Sequence, residues 1–149
     1  YIPAPLRLDT FEGRAFVGVV PFRMADVGFR GLPMLPLASA FPELNVRTYV
    51  RYGDRPGVFF FSLDAASRLA VFGGRHVFWV PYHHANMAVR GTGRDVDYSS
   101  ERRDRRGGEG RFEGRWQTRG DAFLATPGSL EHWLTERYCL YTTRRGVVW

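Results

Sequence analysis

The sequence predicts a mainly β fold, α+β by content, and three observations favour it over a parallel sheet of alternating strands and helices. Six or seven short segments are rich in valine and aromatic residues or alternate between apolar and polar residues, as strands do. Only two short segments have the periodicity of an amphipathic helix. Glycine and proline, with 17 and 9 residues, separate these segments along the whole chain. We therefore expect a barrel or sandwich, or an α+β fold, with two short helices.

The first half of the chain contains the clearest strands. Residues 14–20 form a valine-rich run that predicts a strand, whereas two prolines in the segment 31–37 favour a loop or an extended cover. Residues 43–50 alternate strictly, with apolar or β-branched residues on one face and polar residues on the other. A turn at 53–57 and an apolar run at 58–63 complete a predicted β-hairpin.

The second half predicts two helices among shorter strands. The first helix covers residues 65–72, with Asp64 or Ser62 as its cap and Gly73-Gly74 as its end. The second covers residues 130–138 and is started by Pro127-Gly128-Ser129, with Ser129 as its cap. The predicted strands are residues 83–91, 94–100, 110–118 and 138–142.

The basic residues exclude one class of enzyme. All 21 are arginine, so a lysine Schiff base cannot form. The net charge of +6 would suit a nucleic-acid partner, but replacement of lysine by arginine throughout is typical of a GC-rich genome. In residues 90–119, nine arginines alternate with six acidic residues, which indicates a solvated hairpin of largely neutralised charge. We therefore do not expect a nucleic-acid partner.

The size and composition predict one domain over residues 1–149. No apolar run approaches the roughly 18 to 20 residues of a membrane helix, so we expect a soluble, cytoplasmic protein with no membrane partner. The single cysteine, Cys139, excludes an internal disulfide, and a homo-oligomer is compatible with this composition. The missing initiator methionine and the strand-like residues 146–149 predict a fragment of a longer chain.

Common catalytic motifs do not occur. His83 and His84 are neighbours on a predicted strand, where they point to opposite faces and cannot chelate one ion, and no HExxH motif is present. We expect no metal. The GxSxG motif of serine hydrolases is missing, Cys139 in an apolar strand is typical of inert packing, and no phosphate-binding loop predicts a nucleotide cofactor.

The polar face of the strand from Glu43 to Tyr49 allows two interpretations. In the first, the face is exposed to water, as one side of an antiparallel sheet often is. If the strand belongs to a barrel whose outer face packs against helices, this face points inward instead. Glu43 and Arg47 would then line a cavity with a carboxylate and a guanidinium group.

Three segments resemble the YqjF-like family of uncharacterised bacterial proteins, whose members are usually longer at both ends. The resemblance covers nearly the whole chain. It rests on the segments LDTFEGRAFVGVVPFRM, SAFPELNVRTYVRYGDRPGVFFFSLDA and HWLTERYCLYT.

That family in turn is similar, more weakly, to the acetoacetate decarboxylase superfamily. The segments IPAPLRLD and GGRHVFWVPYHH carry this similarity, which implies an acetoacetate decarboxylase-like β-barrel with a central cavity and two short flanking helices. The superfamily's Schiff-base lysine falls on Tyr82, its second lysine on His83 and one site carboxylate on Glu43. The other carboxylate falls near Val17 or Gly18, where this chain has no acid.

These departures imply a pocket without the superfamily's decarboxylation, because neither tyrosine nor histidine forms an imine with a ketone. The resemblance leaves Glu43, Tyr82 and His83 as candidate catalytic residues for acid/base chemistry. It leaves Arg47, Arg75 and His84 as candidate substrate-binding residues. We expect no cofactor.

Three functions follow as hypotheses. The first is a pocket for a small carbonyl or carboxylate compound, either catalytic or purely binding. The second is a structural or interaction module whose barrel is packed solid with aromatic residues such as 59–61, 78, 79 and 133. The third is nucleic-acid binding by arginine.

Overall fold

An eight-stranded sheet, a separate two-stranded sheet and two helices make up the computed structural model, which describes residues 1–25, 40–91, 94–144 and 146–149. The mainly β prediction is confirmed. The predicted loop at 31–37 lies outside the described residues. The elements are β1 (Arg7–Leu8), β2 (Val17–Met24), β3 (Phe41–Tyr52), β4 (Arg55–Ala65), α1 (Arg68–His76), β5 (Tyr82–Arg90), β6 (Asp95–Arg102), a 3₁₀ turn (Arg105–Gly107), β7 (Arg111–Gln117), α2 (Leu130–Thr135), β8 (Cys139–Tyr141), β9 (Thr143–Arg144) and β10 (Val147–Val148).

The long hairpin of β3 and β4 forms the centre of the sheet. The two strands are antiparallel from the Glu43–Ala65 pair to the Tyr52–Arg55 pair. Gly53 opens the connecting turn with a φ of 57°, in the left-handed region that glycine adopts readily. The predicted hairpin is confirmed, and its turn is tighter than the predicted 53–57 because β4 already begins at Arg55.

The sheet curls into a half-barrel. Strands β1 and β2 pair with β3, β5 and β8 lie parallel to β4, and β6 and β7 continue antiparallel from β5. The curl brings β6 back over β3, where the Tyr98 hydroxyl donates a hydrogen bond of 2.8 Å to the carbonyl oxygen of Glu43. Within the described ranges the sheet ends at β7 on one side and at β1 and β2 on the other.

The predicted caps of the first helix are wrong. Ser62 and Asp64 both lie inside β4, which continues to Ala65. Ser67 caps the helix instead, because its Oγ accepts a hydrogen bond of 3.2 Å from the Ala70 backbone N–H.

The predicted end of this helix before Gly73-Gly74 is also wrong, since α1 continues to His76. Glycine lowers helix propensity, but here it permits close packing. A Cβ atom on Gly74 would lie 2.3 Å from Cδ2 of the Tyr82 ring. The close packing of α1 against Tyr82 on β5 therefore explains why position 74 is a glycine.

Helix α2 is shorter than the predicted 130–138. Ser129 caps it as expected, with its Oγ accepting from the His132 N–H at 3.2 Å. The helix ends at Thr135. Beyond it, the Arg137 side chain folds back and donates a hydrogen bond of 2.7 Å to the Trp133 carbonyl oxygen and one of 2.5 Å to Oδ2 of Asp9. This buried ion pair joins the end of α2 to the N-terminal segment.

The remaining strands differ from their predictions mainly at the ends. The strand expected at 14–20 runs from 17 to 24, and the last predicted strand narrows to 139–141. The short strand β9 follows directly and pairs antiparallel with β10.

Two apolar clusters hold the sheet. One gathers Leu6, Val50 and Tyr141, and the other joins Phe41 and Ala65 of the sheet to Val71 of α1. The aromatic residues proposed for a solid interior are dispersed: Phe78 is 52% exposed and Phe61 is 39% exposed. No helix of the described residues has the length and apolar content to cross a membrane.

Candidate functional site

The polar face of β3 does not face water. Tyr49 packs its ring 4.7 Å from that of Trp133 on α2, and Arg47 donates a hydrogen bond of 3.3 Å to the Leu134 carbonyl. At the other end of the same face, Glu43 is only 3% exposed. Residues two apart on a strand share a face, so the stripe from Glu43 to Tyr49 is buried at both ends, by α2 at Tyr49 and by Tyr82 at Glu43.

Glu43 and Tyr82 form the central contact of this face. The Tyr82 hydroxyl donates a hydrogen bond of 2.7 Å to Oε2 of Glu43. Burial raises the pKa of Glu43 to about 7, and the hydrogen bond from Tyr82 opposes part of that rise. A carboxyl group with this pKa exchanges a proton near neutral pH, which suits it to acid/base chemistry.

Tyr82 is held from two sides. Its ring packs against Gly74 of α1, and its carbonyl oxygen accepts a hydrogen bond of 2.6 Å from Nε of Arg75. Burial, together with the nearby charge of Glu43, raises the pKa of Tyr82 above its usual range. The hydroxyl therefore stays protonated at neutral pH and acts as a donor.

His83 points to the opposite face of β5, as alternation along a strand requires. Its Nδ1 lies 3.4 Å from Nη2 of Arg75, which also forms a salt bridge with Asp104. Burial, and then the charges of Arg102 and Arg75, lower the pKa of His83, although Asp64 and Asp104 oppose this. These effects favour the neutral imidazole of His83.

A buried ion pair lies beside His83. Nε of Arg102 on β6 donates a hydrogen bond of 2.7 Å to Oδ1 of Asp64 on β4. Nη1 of the same arginine donates another, also of 2.7 Å, to the Gly107 carbonyl oxygen. The side chains are 10% and 6% exposed. Because Gly107 also packs against the His83 ring, the pair fixes the 3₁₀ turn over this histidine.

The six candidate site residues therefore occupy three places. Glu43 and Tyr82 are in contact. His84 lies on the same face of the sheet, because Ala65 of the intervening β4 pairs with Glu43 on one side and with His84 on the other. His83 and Arg75 meet on the other side of β5, where Arg75 contacts both His83 and the Tyr82 backbone. Arg47 lies four residues along β3 from Glu43, at the α2 end.

Two residues near the pair escaped the sequence reasoning. Asn45 lies between Glu43 and Arg47 on the polar face and is 3% exposed, and its place in the alternation was the signal available. Tyr98 binds the Glu43 backbone from β6, a contact between residues 55 apart in the chain that no local pattern indicates. Burial raises the pKa of Tyr98 above its usual range, so it also remains a donor.

An open cleft lies outside the Glu43–Tyr82 contact. It has a volume of about 540 Å³ and is lined by Phe59, Phe60, Phe61, Trp79 and Arg75, among others. Across the described ranges, no three His, Cys, Asp or Glu side chains gather in a way that could hold a metal ion. The exposed arginines of β7 pair with acids, Arg111 with Glu113 and Arg115 with Asp97, each at 2.6 Å.

Comparison with known proteins gives two similarities. Residues 1–149 match the DUF2071 family, which is described as an uncharacterized conserved protein. The chain is also 45% identical over 148 residues to the uncharacterized protein YqjF of Bacillus subtilis (strain 168). That alignment covers 99% of this chain and 60% of the relative, so the chain spans about three fifths of the relative's length. No solved structure matches.

Proposed function

The chain belongs to the DUF2071 family of uncharacterised conserved proteins, and we propose that it binds a small carbonyl or carboxylate compound at Glu43 and Tyr82, without a Schiff base. Membership confirms the YqjF-like resemblance. The acetoacetate decarboxylase-like barrel and its central pocket are part of this proposal.

The single observation that carries the proposal is the Glu43–Tyr82 hydrogen bond. The superfamily resemblance aligned these residues, 39 positions apart, with a site carboxylate and the site lysine. Their side chains lie 2.7 Å apart, Glu43 is only 3% exposed, and the Tyr82 ring packs against Gly74 of α1. Burial of an ionisable carboxyl that a nonpolar residue could replace destabilises the fold, so its presence supports a functional role.

The chemistry follows from the protonation states of the two groups. When a ligand binds, the Tyr82 hydroxyl turns its single hydrogen from Glu43 to the carbonyl or carboxylate oxygen of the ligand, and Glu43 donates its own hydrogen there when it is protonated. With a pKa of about 7, Glu43 can also accept a proton from a carbon next to that carbonyl. The lack of lysine removes the imine, so any reaction at the site is acid/base chemistry.

The neighbouring cations have separate roles in this proposal. Arg47, on the same face as Glu43, is the candidate anchor for a ligand carboxylate, since guanidinium groups bind carboxylates well. Arg75 holds the Tyr82 carbonyl at 2.6 Å and positions the tyrosine. His83 contacts Arg75 from the opposite face and supports that position.

A thermal-shift screen tests the proposal with acetone, acetoacetate, pyruvate and acetate as probes. A ligand present at 100 times its Kd stabilises the folded state by about 2.7 kcal/mol, which gives a measurable rise in Tm. We expect at least one probe to stabilise the wild-type chain. Its Kd should rise about tenfold or more in Glu43→Gln and in Tyr82→Phe.

Asp97→Asn is the matched control, because it removes one exposed carboxylate of β6 and leaves Glu43 in place. Its Kd should equal that of the wild type. The proposal fails if no probe raises Tm, or if the variants at Glu43 and Tyr82 bind as the control does. A chain that binds nothing would favour the structural module instead.

A further inference from the structure

Asn45 lies in the same polar stripe as Glu43 and is almost completely buried, with 3% of its surface exposed. It pairs in register with Val20 of β2 on one side and Leu63 of β4 on the other. Because paired residues share a face, the Asn45 amide lies between two apolar side chains. Leu63 in turn pairs with Tyr82 of β5, which places Asn45 and Tyr82 in one row across the sheet.

The Asn45 amide oxygen has no hydrogen-bond partner among the described residues. A buried polar atom without a partner destabilises the fold, and most buried polar atoms in native proteins are paired. The described residues contain three such side-chain atoms, and two of them, Asn45 Oδ1 and Arg47 Nε, follow Glu43 on this face. A leucine at position 45 would match its neighbours better, so packing does not explain an asparagine here.

We propose that Asn45 is a third ligand-binding residue and that it selects a carbonyl compound carrying a hydroxyl or N–H group. Its amide oxygen accepts a hydrogen bond from that group, while Glu43 and Tyr82 bind the carbonyl oxygen. Alternate residues on a strand lie about 7 Å apart, so one small molecule reaches both positions. This inference rests on the proposed function and narrows its ligand class.

A matched pair of probes tests the inference. Hydroxyacetone and 2-butanone have the same size and the same ketone, but 2-butanone has a methyl group where hydroxyacetone has its hydroxyl. We measure the Kd of each by NMR titration for the wild type, Asn45→Leu, Asn45→Ala and Tyr82→Phe. The same samples are unfolded thermally to give Tm.

We expect the wild type to bind hydroxyacetone about tenfold more tightly than 2-butanone, the ratio that one hydrogen bond typically supplies. Both Asn45 variants should lose this preference, whereas Tyr82→Phe should raise the Kd of both probes by the same factor. Asn45→Leu should keep or raise Tm, because it removes an unpaired polar atom. A residue with a purely structural role would instead lower Tm when replaced.

The outcomes separate the inference from the proposed function. Two results overturn the role of Asn45 alone, provided that Tyr82→Phe still weakens the binding of both probes. One is equal binding of the two probes by the wild type, and the other is an unchanged preference in the Asn45 variants. Failure of both probes to bind overturns the role of Asn45, and binding that does not depend on Tyr82 overturns the proposed function and the inference with it.

Discussion

Tyr82 on β5 and Glu43 on β3 meet across the intervening strand β4, where the tyrosine hydroxyl lies 2.7 Å from Oε2 of the glutamate. The contact joins the first residue of one strand to a buried carboxyl whose pKa is raised to about 7. Several measurable properties depend on it.

The stability of the fold should fall as the pH rises from about 4.5 to about 7. The pKa of Glu43 rises from 4.5 to about 7 on folding, so the folded state binds the proton more tightly than the unfolded state. The contribution of Glu43 to the free energy of unfolding is fully present below pH 4.5 and is lost as the pH rises through 7. The total loss is about 3 kcal/mol. Urea unfolding at several pH values measures this loss.

Glu43→Gln removes the titrating group and is the control for this pH dependence. The difference in unfolding free energy between variant and wild type should grow from pH 4.5 to 7 in favour of the variant. A difference that stays constant across this range would contradict a raised pKa at Glu43.

Tyr82→Phe should raise the pKa of Glu43 further, because the hydrogen bond from Tyr82 lowers that pKa in the wild type. The unpaired carboxylate should also reduce the unfolding free energy at pH 8 by about 1 to 3 kcal/mol. Carbon-13 NMR of the glutamate side-chain carboxyl groups follows the titration directly. An unchanged Glu43 titration would show that the hydroxyl does not bind the carboxylate.

Gly74→Ala should destabilise the protein, against the helix propensity that favours alanine by about 1 kcal/mol. The added Cβ would lie 2.3 Å from Tyr82 Cδ2, so α1 or the ring must shift. Thermal unfolding gives the sign of the change. A more stable variant would mean that α1 does not pack on Tyr82 as described.

Asp64→Asn should be strongly destabilising, by about 3 to 5 kcal/mol, because it leaves the Arg102 guanidinium buried without its counter-ion. Asp97→Asn breaks an ion pair of similar length, 2.6 Å, between exposed side chains. Exposed pairs contribute little, so the second variant should match the wild type. Equal losses in the two variants would show that burial does not distinguish these pairs.

Sequence alone predicts the parts of this fold that depend on local patterns. The alternation of residues 43–50 predicts β3 and its hairpin with β4, and Ser129 predicts the start of α2. The course of α1 through Gly74 is set by contact with Tyr82, which lies in a different element. Local propensity therefore failed where tertiary packing decides the backbone.

The candidate site divides in the same way. The alternation of β3 indicates Glu43 and the family resemblance adds Tyr82, but their contact spans 39 residues that no local pattern relates. The division of His83 and His84 between two faces follows directly from strand alternation. The Arg102–Asp64 pair could not be predicted, because it requires the pairing of β6 with β5 and of β5 with β4.

The most direct test of the central claim is the carbon-13 resonance of the carbonyl group of a labelled ketone, [2-¹³C]hydroxyacetone, added to the chain. Hydrogen bonds polarise a carbonyl group, so binding at Glu43 and Tyr82 should move the resonance downfield while it remains that of a ketone. The shift should shrink in Tyr82→Phe and persist in Asp97→Asn. An unshifted resonance, or one shifted equally in Tyr82→Phe, would contradict the claim.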